Sequence, residues 1–392
     1  MMKQMKPTGF MATFRRELQR MGSRKIYLFI LIVVPIGMAL FFVSLLDKGL
    51  PLETPVAVVD LDHSSLSRRV TRSLDAEELL TVTERLESFS RAMEKVKSGK
   101  IFGFFVIPVN FEADAIGGRT PVLEYYSNMT YFVPGTLSFK GFKTIAVGTS
   151  ASTVSSTLIA LGVDPQQLAS LVQPVNFDIH QIGNPWTNYS YYLSPSFVVA
   201  VLALMIYLTT VFAITSEIKS GSSPDWIATA GGRMSTALLG KLAPYSIAFS
   251  FVGLFILSLF LGYRHFPMAG SLAALGSAMV LMVLASQAFA TLVCCAVPNP
   301  RLAMSVVSLI GILTFSFAGF SFPVEKMYGY IAVLSYIVPV RHFFEIYVNE
   351  ALLGAHVWFC RWMFVGLLVF LPLPALLARR LKKACLNPVY VP

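Results

Sequence analysis

The sequence predicts an α-helical integral membrane protein with six transmembrane helices and an inserted extracytoplasmic α/β domain. Three observations carry that expectation. Six apolar stretches are each long enough to cross a bilayer, one polar block separates the first from the second, and the chain is 55% hydrophobic with only 13% charged residues. A spanning helix needs about 20 mostly apolar residues. Ile26 to Leu46, Phe197 to Ser216, Leu242 to Tyr263, Leu272 to Val297, Leu302 to Phe320 and Trp358 to Leu377 all meet that length. Charges avoid the cores of these runs, as expected where lipid replaces water, and the composition excludes a soluble enzyme.

A net charge of +10 would suit nucleic acid if the basic residues formed a patch. They sit beside spans instead. Lys3, Lys6, Arg15, Arg16, Arg20, Arg24 and Lys25 precede the first run, and Arg379, Arg380, Lys382 and Lys383 follow the last. Basic flanks mark the cytoplasmic side, so both termini are expected inside and no nucleic-acid partner is expected. The block Asp47 to Tyr192 has 12 Lys/Arg against 15 Asp/Glu and lacks the inside mark, which places it outside.

Taken in order, residues 1–25 carry a helical stripe of Phe10, Phe14, Leu18 and Met21, with Arg15, Arg16 and Arg20 on other faces. That pattern predicts a cytoplasmic interfacial helix lying along the inner leaflet; a solvated basic tail is the competing reading. The first run, residues 26–46, has no small-residue cleavage site after it and is expected to remain as a signal anchor. Residues 47–196 form the extracytoplasmic domain. Val56 to Asp60 reads as a strand, and Ser64 or Ser65 can cap a helix with Leu66, Val70 and Leu74 on one face. A strand near Leu79 to Thr83 leads to a helix with Phe89, Met93 and Val96 aligned, stopped at Gly99. Strands at Ile101 to Ile107 and Val122 to Tyr126 and a helix from about Thr136 to Leu161 complete a partly parallel sheet, because parallel neighbours need crossovers.

Residues 197–377 hold the second to sixth spans. Between them, Glu217 to Lys241 is a short, glycine-containing inside segment, Pro298 to Arg301 is a tight inside turn, and Ser321 to His356 is too apolar for an aqueous loop. Broken by Pro323, Pro339 and Gly354, this last segment is expected to dip into the outer leaflet as a helical hairpin shielded by protein. Residues 378–392 are a basic cytoplasmic tail.

Motifs for chemistry are scarce. The chain contains no Gly-x-x-x-x-Gly-Lys-Ser/Thr phosphate cradle, no nucleophile elbow and no His-Glu-x-x-His. No catalytic residue, metal ligand or bound cofactor is expected. Asp60, Asp62 and His63 read as a turn with helix capping rather than a cation site, and His342 with Glu345, one turn apart, as a local hydrogen-bonded pair. Cys294, Cys295, Cys360 and Cys385 lie in or beside spans, which argues against a disulfide framework. The cores of the apolar runs contain no Asp, Glu, Lys, Arg or His, only polar residues such as Thr209, Thr210, Gln287 and Thr291. Ion-coupled transport usually needs such a residue, so the driving force is expected from a partner that hydrolyses ATP.

At Ser216-Glu217-Ile218-Lys219-Ser220-Gly221-Ser222 and Gly240-Lys241-Leu242-Ala243-Pro244-Tyr245, the chain resembles membrane subunits of the type-2 ATP-binding-cassette exporters. The resemblance extends to Val56-Ala57-Val58-Val59-Asp60, to Gly103 through Phe111, and to Ala318 through Met327. It departs at Ala230-Gly231, where the family commonly has Thr-Pro, and at Met327-Tyr328, where it often has Met-Pro. The resemblance implies a bacterial inner-membrane permease that works in export or efflux and pairs as a homo- or heterodimer. Each copy would dock on a cytoplasmic ATPase that binds ATP and Mg, with a periplasmic adaptor and outer-membrane channel in envelope-spanning export. It implies a coupling helix within 217–241, with Glu217, Gly221, Ser222, Trp226, Gly240 and Lys241 as the coupling set and Trp226 as an apolar anchor for the partner. Gly319, Pro323 and Pro339 would shape the outer gate or hairpin. A hydrophobic or amphipathic substrate suits the apolar spans; a non-transporting envelope anchor whose outer domain binds a partner is the alternative.

Overall fold

A computed structural model of the chain describes residues 8–172, 180, 182–320 and 322–388. Lys3, Lys6, Ser321 and residues 389–392 of the basic tail lie outside the described residues. Two compact units emerge, Met1–Gly49 with Gln181–Pro392, and Leu50–His180.

Among the described residues of the first unit, six helices are long and apolar enough to cross a membrane: Lys25–Leu45, Tyr189–Lys219, Met234–Tyr263, Leu272–Ala296, Pro300–Phe317 and Val357–Leu386. The second and fourth form the centre. Of their apolar stretches 72% and 78% are enclosed by protein, against 22% to 28% for the first, fifth and sixth. The inner faces explain this, since small side chains such as Ala200, Ala203 and Ala213 on the second span and Ala278, Ala285 and Ala290 on the fourth are wholly buried. Small residues let helix backbones approach closely in lipid, where apolar burial alone gives no driving force. Peripheral spans instead present Phe29, Phe41, Leu309, Ile312, Trp362 and Leu376 outward.

Several helices outrun their apolar runs. The second continues to Lys219 and the third starts at Met234, eight residues before Leu242, so Glu217 and Lys241 sit on helices rather than in a connecting loop. Between them Ser223–Thr229 forms a separate short helix. A bent pair, Gly329–Ser335 and Pro339–Leu352, meets at 85° and is a broken span or a re-entrant loop, which makes up to seven crossings. Pro339 starts the second arm at N1, where its missing N–H costs nothing. Here the expected His342–Glu345 pair is not formed. Glu345 pairs with Arg341 at 2.9 Å, and His342 Nε2 instead meets the Tyr336 carbonyl at 3.1 Å. On a helix, residues three and four apart are both neighbours, and the opposite charge at Arg341 wins.

The second unit is built on a four-stranded sheet of order β2-β1-β3-β4, with β1 Thr54–Asp60, β2 Leu80–Leu86, β3 Gly103–Ile107 and β4 Glu124–Ser127. β1 is parallel to both neighbours and β4 is antiparallel to β3. Alternation along β1 sends Val56 and Val58 to one face against the helix Ser65–Asp75, and Ala57 and Val59 to the other against Phe89–Lys97. A central parallel strand is therefore apolar on both faces and reads as a continuous run. The long helix Phe132–Ala160 packs Phe142 onto the first face. Asp60 is closed on its own turn: Oδ1 accepts from the N–H groups of Asp62 and His63, and Oδ2 from the Ser67 hydroxyl.

Candidate functional site

The N-terminal helix, Phe10–Ser23, positions the site. Thr13, Arg16, Glu17 and Arg20 fall at i, i+3, i+4 and i+7 and so share one face. That polar face is the one turned into the protein: Thr13 and Glu17 are buried, while Phe10 and Leu18 of the apolar stripe remain exposed. Gly240, at the start of the third span, permits the close approach. A β-carbon there would lie 2.7 Å from Thr13 Cβ and 2.9 Å from the Phe10 carbonyl.

Across this contact a buried ion network closes. Lys241 Nζ donates to Glu17 Oε2 at 2.5 Å and to Glu217 Oε1 at 3.0 Å, and Tyr245 OH donates to Glu17 Oε1 at 2.7 Å. Arg16 grips Glu217 in a bidentate pair at 2.7 and 2.9 Å. Arg20 also donates to Glu217, and reaches the Ser216 hydroxyl at 2.8 Å; the Ser222 hydroxyl completes the set on Glu217. Glu17, Glu217 and Lys241 are each 1% exposed or less. Burial opposes the charge on Arg16, but its hydrogen bonds and attraction to Glu217, with smaller help from Glu17 and Asp225, raise its pKa above the ordinary arginine value. Bidentate arginine–carboxylate pairs of this kind are among the stronger charge-assisted bonds.

The short helix Ser223–Thr229 and the turn after it are tied into the same block by the third span, by the start of the N-terminal helix and by the last helix, Leu373–Leu386. Trp226 is fully buried, donates through Nε1 to the Ala237 carbonyl at 3.2 Å, and lies under Lys241 Nζ at 5.0 Å from the ring centroid. Gly9 N–H bonds the Thr229 carbonyl at 2.8 Å, Ser223 Oγ bonds the Cys385 carbonyl at 2.7 Å, and Lys382 Nζ bonds the Gly232 carbonyl at 2.7 Å. Gly231 and Gly232 turn the chain with φ of +71° and +76°. Left-handed glycines thus make the bend at the position where the sequence lacks Thr-Pro.

Of the residues expected to couple to a partner, Glu217, Ser222, Trp226, Gly240 and Lys241 converge here. Gly221 (φ +68°) stays outside the network in an exposed turn. The expectation that Trp226 is an anchor for a partner is corrected: its indole is already enclosed by its own subunit. Glu217 is likewise closed off from any partner by three cations of its own chain. Of the residues expected at the outer gate or hairpin, Pro339 opens the second arm of the bent pair, whereas Gly319 and Pro323 precede its first arm; Gly319 has φ +92°, and a β-carbon there would meet Arg341 Nη1 at 2.8 Å. Sequence reasoning missed Thr13, Arg16, Glu17, Arg20 and Tyr245 as partners. One signal was available: Glu17 is a lone acid within a basic helix, one turn from both Thr13 and Arg20.

Among the described residues no group of three or more His, Cys, Asp or Glu is placed to hold a metal ion. The site is an electrostatic joint. It locks the N-terminal helix, the second and third spans and the short helix together, leaving Lys219, Gly221, Asp225, Ala228 and Arg233 on the surface.

Comparison with known proteins places the chain in a family. Two curated relatives, both described as "Probable multidrug ABC transporter permease YbhR" and coming from Escherichia coli strain K12 and Escherichia coli O157:H7, are each 25% identical over 183 residues. The match covers 46% of this chain and 49% of the relative, so the chain spans about half the length of the curated relatives it matches. A family profile described as "ABC-2 family transporter protein" matches residues 25–376. Because that match takes in most of the sequence, with five of the apolar helices whole and most of the sixth, the chain belongs to the ABC-2 family transporter proteins, as a multi-pass membrane domain.

Proposed function

We propose that this chain is the permease subunit of an ATP-driven exporter in a bacterial inner membrane, with both termini and the segment 217–241 in the cytoplasm and the α/β unit outside. The observation that carries the reading is the ion network. It joins the second and third spans to Ser223–Thr229 so that a push on the exposed side of that helix moves both spans as one body. The partner is a cytoplasmic ATPase of the ATP-binding-cassette type that holds ATP and Mg, and two permease copies form the membrane core. A periplasmic adaptor and outer-membrane channel are further partners. The substrate class is hydrophobic or amphipathic. In its support, a groove of about 740 Å³ within the membrane unit is lined by Leu239, Leu242, Ile247 and Pro374, with Ser246 and Gln287 as its polar points; mostly apolar pockets with few polar groups suit such compounds.

Orientation is tested with single cysteines in a background lacking the four native ones, all of which are buried. The cysteines stand at the exposed positions Ile116, in the α/β unit, and Arg233, in the segment 217–241. In cells with a permeabilised outer barrier, an impermeant thiol reagent is expected to label Ile116→Cys and spare Arg233→Cys; labelling of Arg233→Cys alone reverses the topology.

Coupling is tested on the surface of the short helix, away from the network. Ala228→Arg, on that exposed surface, is expected to leave abundance unchanged and to weaken ATPase co-purification about tenfold, equivalent to about 1.4 kcal/mol. Export from reconstituted vesicles should fall with it. Full ATPase retention and full export in this variant would end the docking assignment.

A further inference from the structure

The ion network does not balance its own charge. Two carboxylates, Glu17 and Glu217, face three cations, Lys241, Arg16 and Arg20, which leaves one positive charge in excess. Asp225 acts on Arg16 from the short helix, but it is exposed to solvent, which weakens its pull. The excess is directed outward. Between the last turns of the N-terminal helix and the turn after the second span lies an open cavity of about 480 Å³, lined by Arg16, Arg20 and Arg24 and by Ser23, Ser220 and Ser222.

These three arginines recur every fourth residue and so line one face of the helix and its end. Arg16 and Arg20 use part of their donors on Glu217, yet their side chains remain 29% and 15% exposed. A guanidinium has five N–H donors, so both retain capacity toward the cavity. Arg24 is exposed and has no ion-pair partner among the described residues. Depth identifies the ligand. Arg24 directly precedes Lys25, the first residue of the first span, and Phe10 and Leu18 of the same N-terminal helix are exposed apolar groups. The cavity therefore opens where the chain enters lipid, at headgroup level.

We propose that this cavity binds the phosphate of an anionic phospholipid headgroup, with Arg20 and Arg24 as its principal ligands and Ser220 and Ser222 at the opposite wall. The headgroup supplies the missing negative charge, so occupancy holds the N-terminal helix against the second span. Arginine suits phosphate through its planar fork of donors, and basic residues flanking a span attract anionic lipid. A ligand that binds only the folded form raises its stability by mass action. The inference stands whichever way the protein is oriented and whatever it transports.

The test uses the full chain in nanodiscs of phosphatidylcholine with phosphatidylglycerol titrated in, read by native mass spectrometry and by thermal unfolding. Wild type is expected to retain phosphatidylglycerol and to unfold at a higher temperature as its fraction rises. Arg24→Gln should weaken retention at least about tenfold, as should Ser220→Asp, which leaves every arginine in place and adds a repelling charge. Arg301→Gln removes an equally exposed charge beside another span and should change retention less than about twofold. Equal losses in Arg24→Gln and Arg301→Gln would reduce the effect to diffuse attraction and overturn the site. Inorganic phosphate at millimolar concentration is expected neither to stabilise the chain in pure phosphatidylcholine nor to displace the lipid; if it does both, the cavity is a small-anion site and the lipid assignment falls.

Discussion

Lys241→Met is expected to destabilise the membrane unit by about 3 to 5 kcal/mol, the usual effect of removing one member of a buried ion pair. Methionine nearly matches the lysine stem in shape, so packing over Trp226 is largely kept. The charge is what is lost. Glu17 then has only the Tyr245 hydroxyl at 2.7 Å and no cation, while Glu217 still has Arg16 and Arg20. The cost therefore arises chiefly at Glu17, and Glu17→Gln combined with Lys241→Met should recover more than half of it by removing the stranded charge. The measurement is a double-mutant cycle on thermal unfolding of the detergent-solubilised chain. A Lys241→Met variant as stable as wild type, or losses that simply add in the double variant, would show that the network carries no coupling energy.

Trp226→Ala should be comparably damaging, at about 3 to 5 kcal/mol for a large aromatic removed from a filled core. The residue is wholly enclosed, and its removal takes away both the Ala237 hydrogen bond and the surface beneath Lys241. Reduced abundance in the membrane and a lowered unfolding midpoint are the expected results, in the chain alone and without any partner. This outcome separates the structural reading from the sequence-based one. A tryptophan displayed for a partner could be truncated with abundance intact and only docking lost. Trp226→Phe, which keeps most of the volume but not the N–H, should lose much less, about 1 kcal/mol for one hydrogen bond. Normal abundance and stability in Trp226→Ala would contradict the burial described here.

The difference between the two readings of Trp226 has a physical origin. In the sequence, Trp226 lies in a short polar segment between two apolar runs, surrounded by Asp225, Lys219 and glycines. Nothing local distinguishes a tryptophan facing a partner from one facing the third span, because both situations favour an aromatic residue. Glu217 posed the same ambiguity. A carboxylate at the end of a span reads as a marker of the water boundary, and only the approach of the N-terminal helix, with Lys241 and Ser222, converts it into the centre of five hydrogen bonds.

By itself the sequence determined the features whose cause is local. Backbone groups in lipid must be satisfied within the segment, so each span leaves an unbroken apolar run, and the six helices stand where those runs are. The buried parallel strands β1 and β3 are likewise legible as Val56 to Asp60 and Ile101 to Ile107, since apolar neighbours on both faces leave no polar alternation. Tertiary structure alone decided which face of the N-terminal helix turns inward. Its apolar stripe and its polar face were both visible, but burial of the polar face depends on Lys241, 224 residues beyond Glu17. It also decided that His342 turns to the Tyr336 carbonyl while Arg341 takes Glu345. Periodicity reports how a helix is amphipathic; which side is covered is set by distant residues whose charges and shapes complete the contact, and no local pattern encodes them.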